Sequence, residues 1–422
     1  MPRRLRPTDV VLGLLCAMYM ITYIDRVNIA TASNAIQREL QLTNTQVGFL
    51  ASAFGYPYLL FQIFGGWVGD TFGPRRTLFL CGIVWASATI LTGLAGGFAA
   101  LFLCRILVGF GEGATFPVAT RAMQNWTSVG RRGFAQGLTH SFARLGNAIT
   151  PPIVAWLIVA FAWRGSFVAL GTASLVWVAA WVWYFRDNPS DHPSMSRDDL
   201  DALPNRGLPE HKARPHVPWL PLARRIAPVT IVYFCYGWTL WLYLTWLPQY
   251  FLNVYHYDLR RSALFTSAVF FAGVVGDYLG GVISDRILHR TGDLQRARRN
   301  VVMAGFLASF VCMVPVFLTK DLVLIILSLG AAFFFAEIII GPMWSIPMDI
   351  AGKSSGTAAG MMNTGSALAA ILSPIAFGYI IDATKNWQLP FAGSLGFLLL
   401  GALLAPTMHP ERAFEAEPRV VA

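Results

Sequence analysis

Apolar stretches long enough to cross a lipid bilayer recur along the whole chain, from Val10 to Ala405. A spanning helix needs about 20 mainly apolar residues, and twelve such runs lie between charged, proline or glycine breaks: residues 10–33, 46–69, 76–95, 98–125, 133–161, 165–186, 225–252, 260–287, 300–319, 322–349, 354–381 and 388–408. Lipid offers the backbone no hydrogen-bond partners, so segments of this length span as helices. The sequence therefore predicts an all-α membrane protein with twelve transmembrane helices.

The positive charges are distributed unevenly between the two predicted sides of the membrane. With the N-terminus assigned to the cytoplasm, 22 of the 32 Lys and Arg residues lie on that side and four lie within the membrane. The other six lie outside: Arg38, Arg164, Arg260, Arg261, Lys320 and Lys385. Cytoplasmic loops carry the excess of Lys and Arg in membrane proteins, so we expect both termini to be cytoplasmic. The net charge of +10 then reflects membrane orientation, and we expect no nucleic-acid partner.

The chain divides into two similar halves. Residues 187–224 are rich in Pro, Asp, Arg and His and predict a cytoplasmic linker between a six-helix bundle at 1–186 and a second bundle with a short cytoplasmic tail at 225–422. Internal repeats support the division. Glu112 precedes Pro117 by five residues, as Glu337 precedes Pro342, and the two pairs are 225 residues apart. A duplicated unit with a site between its copies is the plan of a rocking carrier.

Arginines lie inside the apolar runs, at Arg26, Arg105, Arg121 and Arg144. A charge at the centre of a spanning helix costs about 2.5–3.5 kcal/mol on insertion scales, so such residues face a pathway or a partner. The guanidinium fork matches carboxylate oxygens in pairs. Arg26 is therefore predicted to contact an anionic substrate, the alternative being a structural ion pair. Arg105 is predicted either to contact the substrate together with Arg26 or to serve as a switchable partner of Asp25. Arg144 is predicted to bind the substrate or to act as a gating residue.

Two carboxylates accompany these arginines, Asp25 beside Arg26 and Glu112 seven residues after Arg105. Burial favours the protonated form of a carboxyl group, whereas a neighbouring arginine favours the charged form. If a substrate anion takes the guanidinium, the released carboxylate is easier to protonate, which links proton uptake to anion uptake. Asp25 and Glu112 are thus predicted as proton-coupling residues, against the alternative of permanently ionised salt bridges. Whether His140 or Glu337 joins the proton path stays open.

The segment between the second and third runs carries a glycine- and arginine-rich motif. It reads Gly66-x-x-x-Asp70-x-x-Gly73-Pro74-Arg75-Arg76, with a degenerate copy from Gly281 to Arg290 that includes Asp285. The motif resembles the loop signature of the major facilitator superfamily, although Thr71 stands where that family usually has a basic residue. The resemblance implies a gating role for Gly66, Asp70, Gly73, Arg75, Arg76 and Asp285. Asp277 is predicted near the cytoplasmic end of its helix as a further gate or cap.

Two other motifs narrow the resemblance. Tyr23-Ile24-Asp25-Arg26-Val27-Asn28 and the stretch from Arg105 to Pro117 are similar to the anion:cation symporter family, which includes bacterial sugar-acid carriers. That family implies polar substrate contacts from positions occupied here by neutral side chains: Tyr58, Trp344, Ser345, Asn363 and Thr364. Ordinary hydrogen bonding between helices is the alternative for each.

The sequence lacks the signatures of the main enzyme classes. The five cysteines are scattered singly, without metal-ligand spacing, and Gly352-Lys353-Ser354 lacks the upstream glycine of a nucleotide-binding loop. We expect neither enzyme activity nor a cofactor or metal, the proton being the coupling ion. The chain is thus predicted to be a monomeric, multi-pass protein of a bacterial inner membrane.

The predicted function is proton-coupled symport of a small organic anion by alternating access. The resemblance favours an aldonate, a hexuronate or another mono- or dicarboxylate. An aromatic carboxylate carrier and an uncoupled uniporter or exchanger are the alternatives of the same fold. A channel and a receptor are the rival classes, and the twofold repeat is evidence against the channel.

Overall fold

The computed structural model describes residues 6–42, 46, 49–50, 53–204, 217–255 and 259–414. The described part of the chain is helical, without strands. The helices before the linker are α1 Pro7–Leu40, α2 Gly55–Phe72, α3 Pro74–Leu94, α4 Phe98–Gly113, α5 Thr115–Trp126 and α6 Arg132–Tyr184. The short α7 Arg197–Asp201 lies within the predicted linker, and the helices that follow it are α8 Trp219–Tyr255, α9 Leu259–Thr291, α10 Asn300–Met313, α11 Pro315–Leu318, α12 Leu322–Ile338, α13 Ile340–Ala351, α14 Ser355–Thr384 and α15 Leu389–Leu404.

Prolines explain where predicted spans are divided into two helices. A proline inside a helix removes a backbone donor and clashes with the carbonyl four residues earlier. The α4–α5 division falls at Gly113, four residues before Pro117, and the α12–α13 division falls at Ile338, four residues before Pro342. The two halves therefore repeat the same interruption. In α6 the break between two predicted spans lies at Ala162, whose φ of 54° is non-helical.

The count of twelve spans is not fully confirmed. Within the described residues, nine helical segments are long and apolar enough to cross a membrane. One of them, Leu322–Ser373, is 52 residues long and covers parts of two predicted spans. The first predicted span of α6 and the short α2 are not among the nine, since both are more polar or shorter than the others. Helix α8 begins at Trp219, inside the predicted linker, and residues 205–216 and 415–422 lie outside the described part.

The distribution of burial is that of a protein in lipid. Large apolar side chains such as Leu60, Phe64 and Trp183 are exposed on the outside, whereas charged residues are buried between the helices. The two halves contact each other along α6 and α9 and along α2 and α14. These two helix pairs bring the intramembrane charges of both halves to a common centre.

Candidate functional site

Arg26 and Glu112 form an ion pair between α1 and α4. Arg26 Nε donates to Glu112 Oε2 at 2.7 Å, and the side chains are 13% and 0% exposed. The sequence placed each residue beside a different partner, Arg26 next to Asp25 and Glu112 with Arg105. Arg26 Nη2 and Glu112 Oε1 have no hydrogen-bond partner among the described residues. The pair therefore keeps one donor nitrogen for a ligand.

Aromatic rings surround the Arg26 guanidinium. Its Cζ lies 4.6–5.1 Å from the centroids of four rings, those of Tyr23, Phe54, Tyr58 and Phe116. Aromatic faces attract a cation, and the attraction grows when water is excluded. The rings hold the charge in place without neutralising it. An arginine seated in this way can exchange one carboxylate for another without losing its position.

Arg105 and Asp25 lie in the same region but are less well paired. Arg105 is 4% exposed, and its Cζ lies 5.3 Å from the Phe54 ring that Arg26 also contacts. Asp25 Oδ2 accepts a hydrogen bond from Ser174 Oγ at 3.3 Å. Arg105 Nε and Asp25 Oδ1 have no hydrogen-bond partner in the described part of the chain. The predicted exchange of Arg105 between Asp25 and substrate stays a prediction.

Arg144 connects the two halves. From α6 it donates through Nη2 to Glu337 Oε2 of α12 at 3.2 Å and to the Tyr236 hydroxyl of α8 at 3.0 Å. Its Nη1 donates to the Tyr23 hydroxyl at 3.4 Å. Asp277 lies midway along α9, 3.9 Å from Arg144 Nε. The position of Asp277 differs from the helix end expected from the sequence, because α9 continues to Thr291.

The neutral side chains that were predicted to contact the substrate form two hydrogen-bonded groups. Asn363 Nδ2 donates to Gln62 Oε1 at 2.8 Å and lies 3.5 Å from the Tyr58 hydroxyl, so this group reaches the Arg26 rings across the halves. Trp344 donates to the Tyr233 hydroxyl at 2.8 Å, and its ring lies 5.0 Å from that of His140.

The hydroxyl groups of Ser345 and Thr364 take part in neither of these two groups. Ser345 Oγ donates to the Gly341 carbonyl, and Thr364 Oγ1 donates to the Met361 carbonyl, both within their own helix segments. Thr364 also borders an apolar crevice on the outside of the molecule with Leu60 and Phe64. Neither hydroxyl is directed to a charged residue.

The motif carboxylates fasten the halves together at the end of the helices next to the linker, here called the linker side. Asp70 of α2 accepts from the backbone N–H groups of Gly356 and Thr357 at 3.0 and 2.7 Å. Asp285 of α9 accepts from those of Gly133 and Phe134 at 3.1 and 2.6 Å. Each carboxylate thus meets the second and third residues of a helix in the other half, where backbone donors are free and the dipole favours an anion.

The remaining motif residues shape the linker-side turn. Gly73 adopts a φ of 87°, which favours glycine, and Gly66 packs on the backbone of Gly356. Arg75 donates to the Val182 carbonyl, and its backbone N–H bonds Asp187 at 2.8 Å. Burial raises the pKa of Asp187, and the Arg75 hydrogen bond opposes this. Arg76 is exposed.

We expect Asp70→Asn to lower the midpoint of thermal unfolding. Asparagine carries no charge for Arg121, whose Nε lies 3.5 Å from Asp70 Oδ1, and has one acceptor oxygen for two backbone donors. Loss of hydrogen bonds to a buried charged group costs about 1–3 kcal/mol. Differential scanning fluorimetry of the detergent-solubilised protein measures it, with the exposed Asp198→Asn as control. Equal midpoints for the two variants would contradict the fastening role.

The sequence suggested Tyr236 and Gln62 only as residues near the cavity and did not predict their hydrogen bonds. Tyr236 accepts from Arg144 and donates to both Glu337 oxygens at 2.9 Å, and Gln62 bonds Asn363. Their signal was weak, because a tyrosine or glutamine in an apolar run is often satisfied locally. Asp349, which binds Arg132 at 2.8 Å, was missed as well. Among the described residues there is no group of His, Cys, Asp or Glu that could hold a metal ion.

Known proteins resemble this chain over nearly its whole length. The model of the Major Facilitator Superfamily matches residues 15–374. A "probable sulfoacetate transporter" of Cupriavidus necator is 46% identical over 411 residues, which are 97% of this chain and 96% of the relative. A "probable galactarate/D-glucarate transporter" of Bacillus subtilis is 29% identical over 93% of this chain and 89% of the relative.

A solved structure supports the fold. The human organic anion transporter MFSD10 (TETRAN) superposes with a TM-score of 0.70 at 18% identity, covering 96% of this chain and 100% of that chain. At this identity the likeness concerns the fold alone. Together with the relatives above, it confirms the fold class and family predicted from the motifs, and that the chain is a transporter and not an enzyme.

Proposed function

Because this chain belongs to the major facilitator superfamily, we propose that it is a proton-coupled symporter of a small organic anion that works by alternating access. In this proposal the protein is a monomer in the inner membrane of a bacterium, with both termini in the cytoplasm. The excess of Lys and Arg in the predicted cytoplasmic loops supports the orientation.

The main observation behind the proposal is that one hydrogen-bond donor of the Arg26 guanidinium has no partner among the described residues. It is buried between four aromatic rings, bonded to Glu112 through Nε, and its Nη2 has no partner among the described residues. An incoming anion binds Nη2 and competes with Glu112 for the same charge. Glu112 then takes a proton, because a buried carboxylate without a cation is costly. Return of that proton to the cytoplasm lets Glu112 reclaim Arg26 and release the anion.

The substrate class we propose is a short sulfonate- or carboxylate-bearing anion, of which sulfoacetate is the representative. The relative that is 46% identical carries that substrate in its name. Arg144 lies beyond Tyr23, which contacts both arginines at 4.8 and 5.7 Å from their Cζ atoms. Two cations near the same ring suit an anion with two charged ends.

Uptake by the purified protein in liposomes tests this function. We expect labelled sulfoacetate to accumulate under an inward proton gradient and to leak out when a protonophore collapses it. Uptake that ignores the protonophore would replace symport by a uniporter or an exchanger. Absence of sulfoacetate uptake, together with proton-driven uptake of labelled galactarate or benzoate, would move the substrate to the sugar acids or the aromatic carboxylates.

A further inference from the structure

A second buried charge cluster lies between the two halves, and its charges do not balance. Arg144 of α6 faces Glu337 of α12 at 3.2 Å and Asp277 of α9 at 3.9 Å. Arg144 is 2% exposed and both carboxylates are fully buried. One cation therefore meets two carboxylates. Because water cannot screen a second negative charge there, one of the two acids must be protonated.

Hydrogen bonding distinguishes the two acids. Glu337 accepts from Arg144 and from the Tyr236 hydroxyl, which lies 2.9 Å from each of its oxygens. Neither oxygen of Asp277 accepts a hydrogen bond from a donor group of the described residues, and the Asp277 carboxyl lies within hydrogen-bonding distance of the Glu337 carboxyl. An ionised carboxylate is stabilised by donors, and one without donors is the more costly to bury. Glu337 is therefore the charged acid and Asp277 the neutral one.

Among the residues that the structure describes, the surroundings add no second cation to the cluster. Tyr236 of α8 and Tyr23 of α1 supply hydroxyls to Glu337 and Arg144. His140, one turn before Arg144 in α6, is bonded through Nδ1 to the Gln136 carbonyl at 2.9 Å.

The other charges near α9 are engaged elsewhere. Arg298 bonds Asp285 and Asp349 at 2.9 and 3.1 Å, and Asp349 of α13 also binds Arg132. That network lies about two helical turns from Asp277, towards the linker side.

The cluster around Arg26 differs in this respect. It contains two arginines, Arg26 and Arg105, and two carboxylates, Asp25 and Glu112, so that its formal charges balance. The cluster around Arg144, with one cation and two carboxylates, has an excess negative charge that a proton removes.

We propose that Asp277 and Glu337 form a proton site in which Asp277 carries one proton while Arg144 holds the halves together. The site rests on the proposed function, since it names a place for the coupling ion. When the halves separate at this level, Arg144 leaves with α6 and the two acids remain with α9 and α12. Glu337 then loses its cation and binds a second proton. Re-formation of the Arg144 contact expels that proton, so proton transfer is tied to the movement itself and not to the anion alone.

Two transport assays, counterflow and accumulation, distinguish a proton-binding role of Asp277 from a structural one. Exchange of labelled for unlabelled sulfoacetate needs anion binding and movement of the halves but no net proton transfer. Asp277→Asn imitates the protonated acid, so we expect it to exchange at close to the wild-type rate. We expect its accumulation under a proton gradient to fall at least about tenfold, within the usual range of coupling between sites. The exposed Asp198→Asn should match the wild type in both assays.

Two results would overturn the proton site. Wild-type accumulation by Asp277→Asn would mean that the proton is carried elsewhere. A parallel loss of exchange and accumulation in a correctly folded Asp277→Asn would mean that the residue is structural. Absence of exchange by the wild-type protein would instead remove the proposed function, and the two failures are thereby distinguishable.

Infrared spectroscopy tests the proton without transport. A protonated carboxyl group has a carbonyl stretch that an ionised one lacks. We expect this band to lose intensity in Asp277→Asn and also in Glu337→Gln, in which Asp277 becomes the ionised partner of Arg144. The control Asp198→Asn should leave the band unchanged. A band of wild-type intensity in both cluster variants would exclude a proton on this pair.

Discussion

We expect uptake of the anion to fall about 100-fold when Arg26 is replaced by glutamine, because the change removes a cation and leaves Glu112 buried without its partner. Breaking a buried pair by removing one member costs about 3–5 kcal/mol, and each 1.4 kcal/mol is a factor of ten. Part of that cost is relieved when Glu112 takes a proton, so the loss in uptake is smaller than the loss that about 3–5 kcal/mol would cause. Initial rates of uptake into liposomes measure it.

The chain offers a matched control for this variant. Arg164 also lies over an aromatic ring, with its Cζ 4.4 Å from the Trp163 centroid, and is paired with Glu39 at 2.9 Å. Its side chain is 35% exposed, where an ion pair is worth little. Arg164→Gln should therefore take up the anion at nearly the wild-type rate. Arg26→Lys keeps the charge but loses the planar fork and should fall between the two.

Binding and folding are checked separately from transport. The wild-type protein should be stabilised against heat by sulfoacetate, whereas folded Arg26→Gln should show no rise of its own unfolding temperature on addition of sulfoacetate. Uptake by Arg26→Gln within about tenfold of the wild type, a loss of less than 1.4 kcal/mol, would exclude Arg26 as the principal anion contact.

The helices were predictable because their signals are local. Runs of apolar residues fix where the chain can span, and Pro117 and Pro342 fix where two spans break four residues earlier. The ends were less predictable: α1 continues to Leu40, seven residues past its apolar run. A helix that leaves lipid still satisfies its own backbone, so polarity alone does not end it.

The pairing of the charges was not predictable from spacing. Neighbours such as Asp25 and Arg26 do not face each other on a helix, and Arg26 instead pairs with Glu112, 86 positions away. Which acid meets which arginine depends on how helices distant in sequence pack.

The partner of Glu337 could have been predicted from a general rule. It has no arginine one or two turns earlier on its helix, and a buried acid needs a cation. Arg144, an intramembrane arginine without a carboxylate close to it in sequence, was the available partner. The two lie 193 positions apart. Charge balance along the whole chain therefore carries information that a search along single helices misses.

The hydroxyl groups show a different limit of the sequence. Ser345 and Thr364 could each bond a ligand, a neighbouring helix or a carbonyl of their own helix, and the last occurs here. Such backbonding is set by a side-chain rotation that depends on local crowding. Their substrate role, expected from the resemblance alone, stays a prediction that Ser345→Ala and Thr364→Val variants can test.

The second prediction with a large expected effect concerns the glycines at the point where α6, α9 and α13 cross. A Cβ placed on Gly281 would overlap the Gly133 carbonyl of α6, and one placed on Gly341 would lie 2.7 Å from the Gly281 Cα. Here backbone meets backbone, and no flexible side chain can move aside. Gly281→Ala therefore forces the halves apart near Asp285, whose bonds to Gly133 and Phe134 fasten them.

We expect Gly281→Ala to populate the arrangement in which the linker side is open. Overpacking of this kind costs about 1–3 kcal/mol, and a coupling of that size changes an equilibrium about 5- to 150-fold. Spin labels at Arg131 and Arg290, both exposed at the linker side, report the separation of α6 and α9 by pulsed electron resonance in a cysteine-free background. Gly330→Ala, which has open space around its Cβ, should keep the wild-type distances. A Gly281→Ala protein with those same distances and wild-type uptake would show that the halves do not need this close approach, and the rocking movement would then require a different pivot.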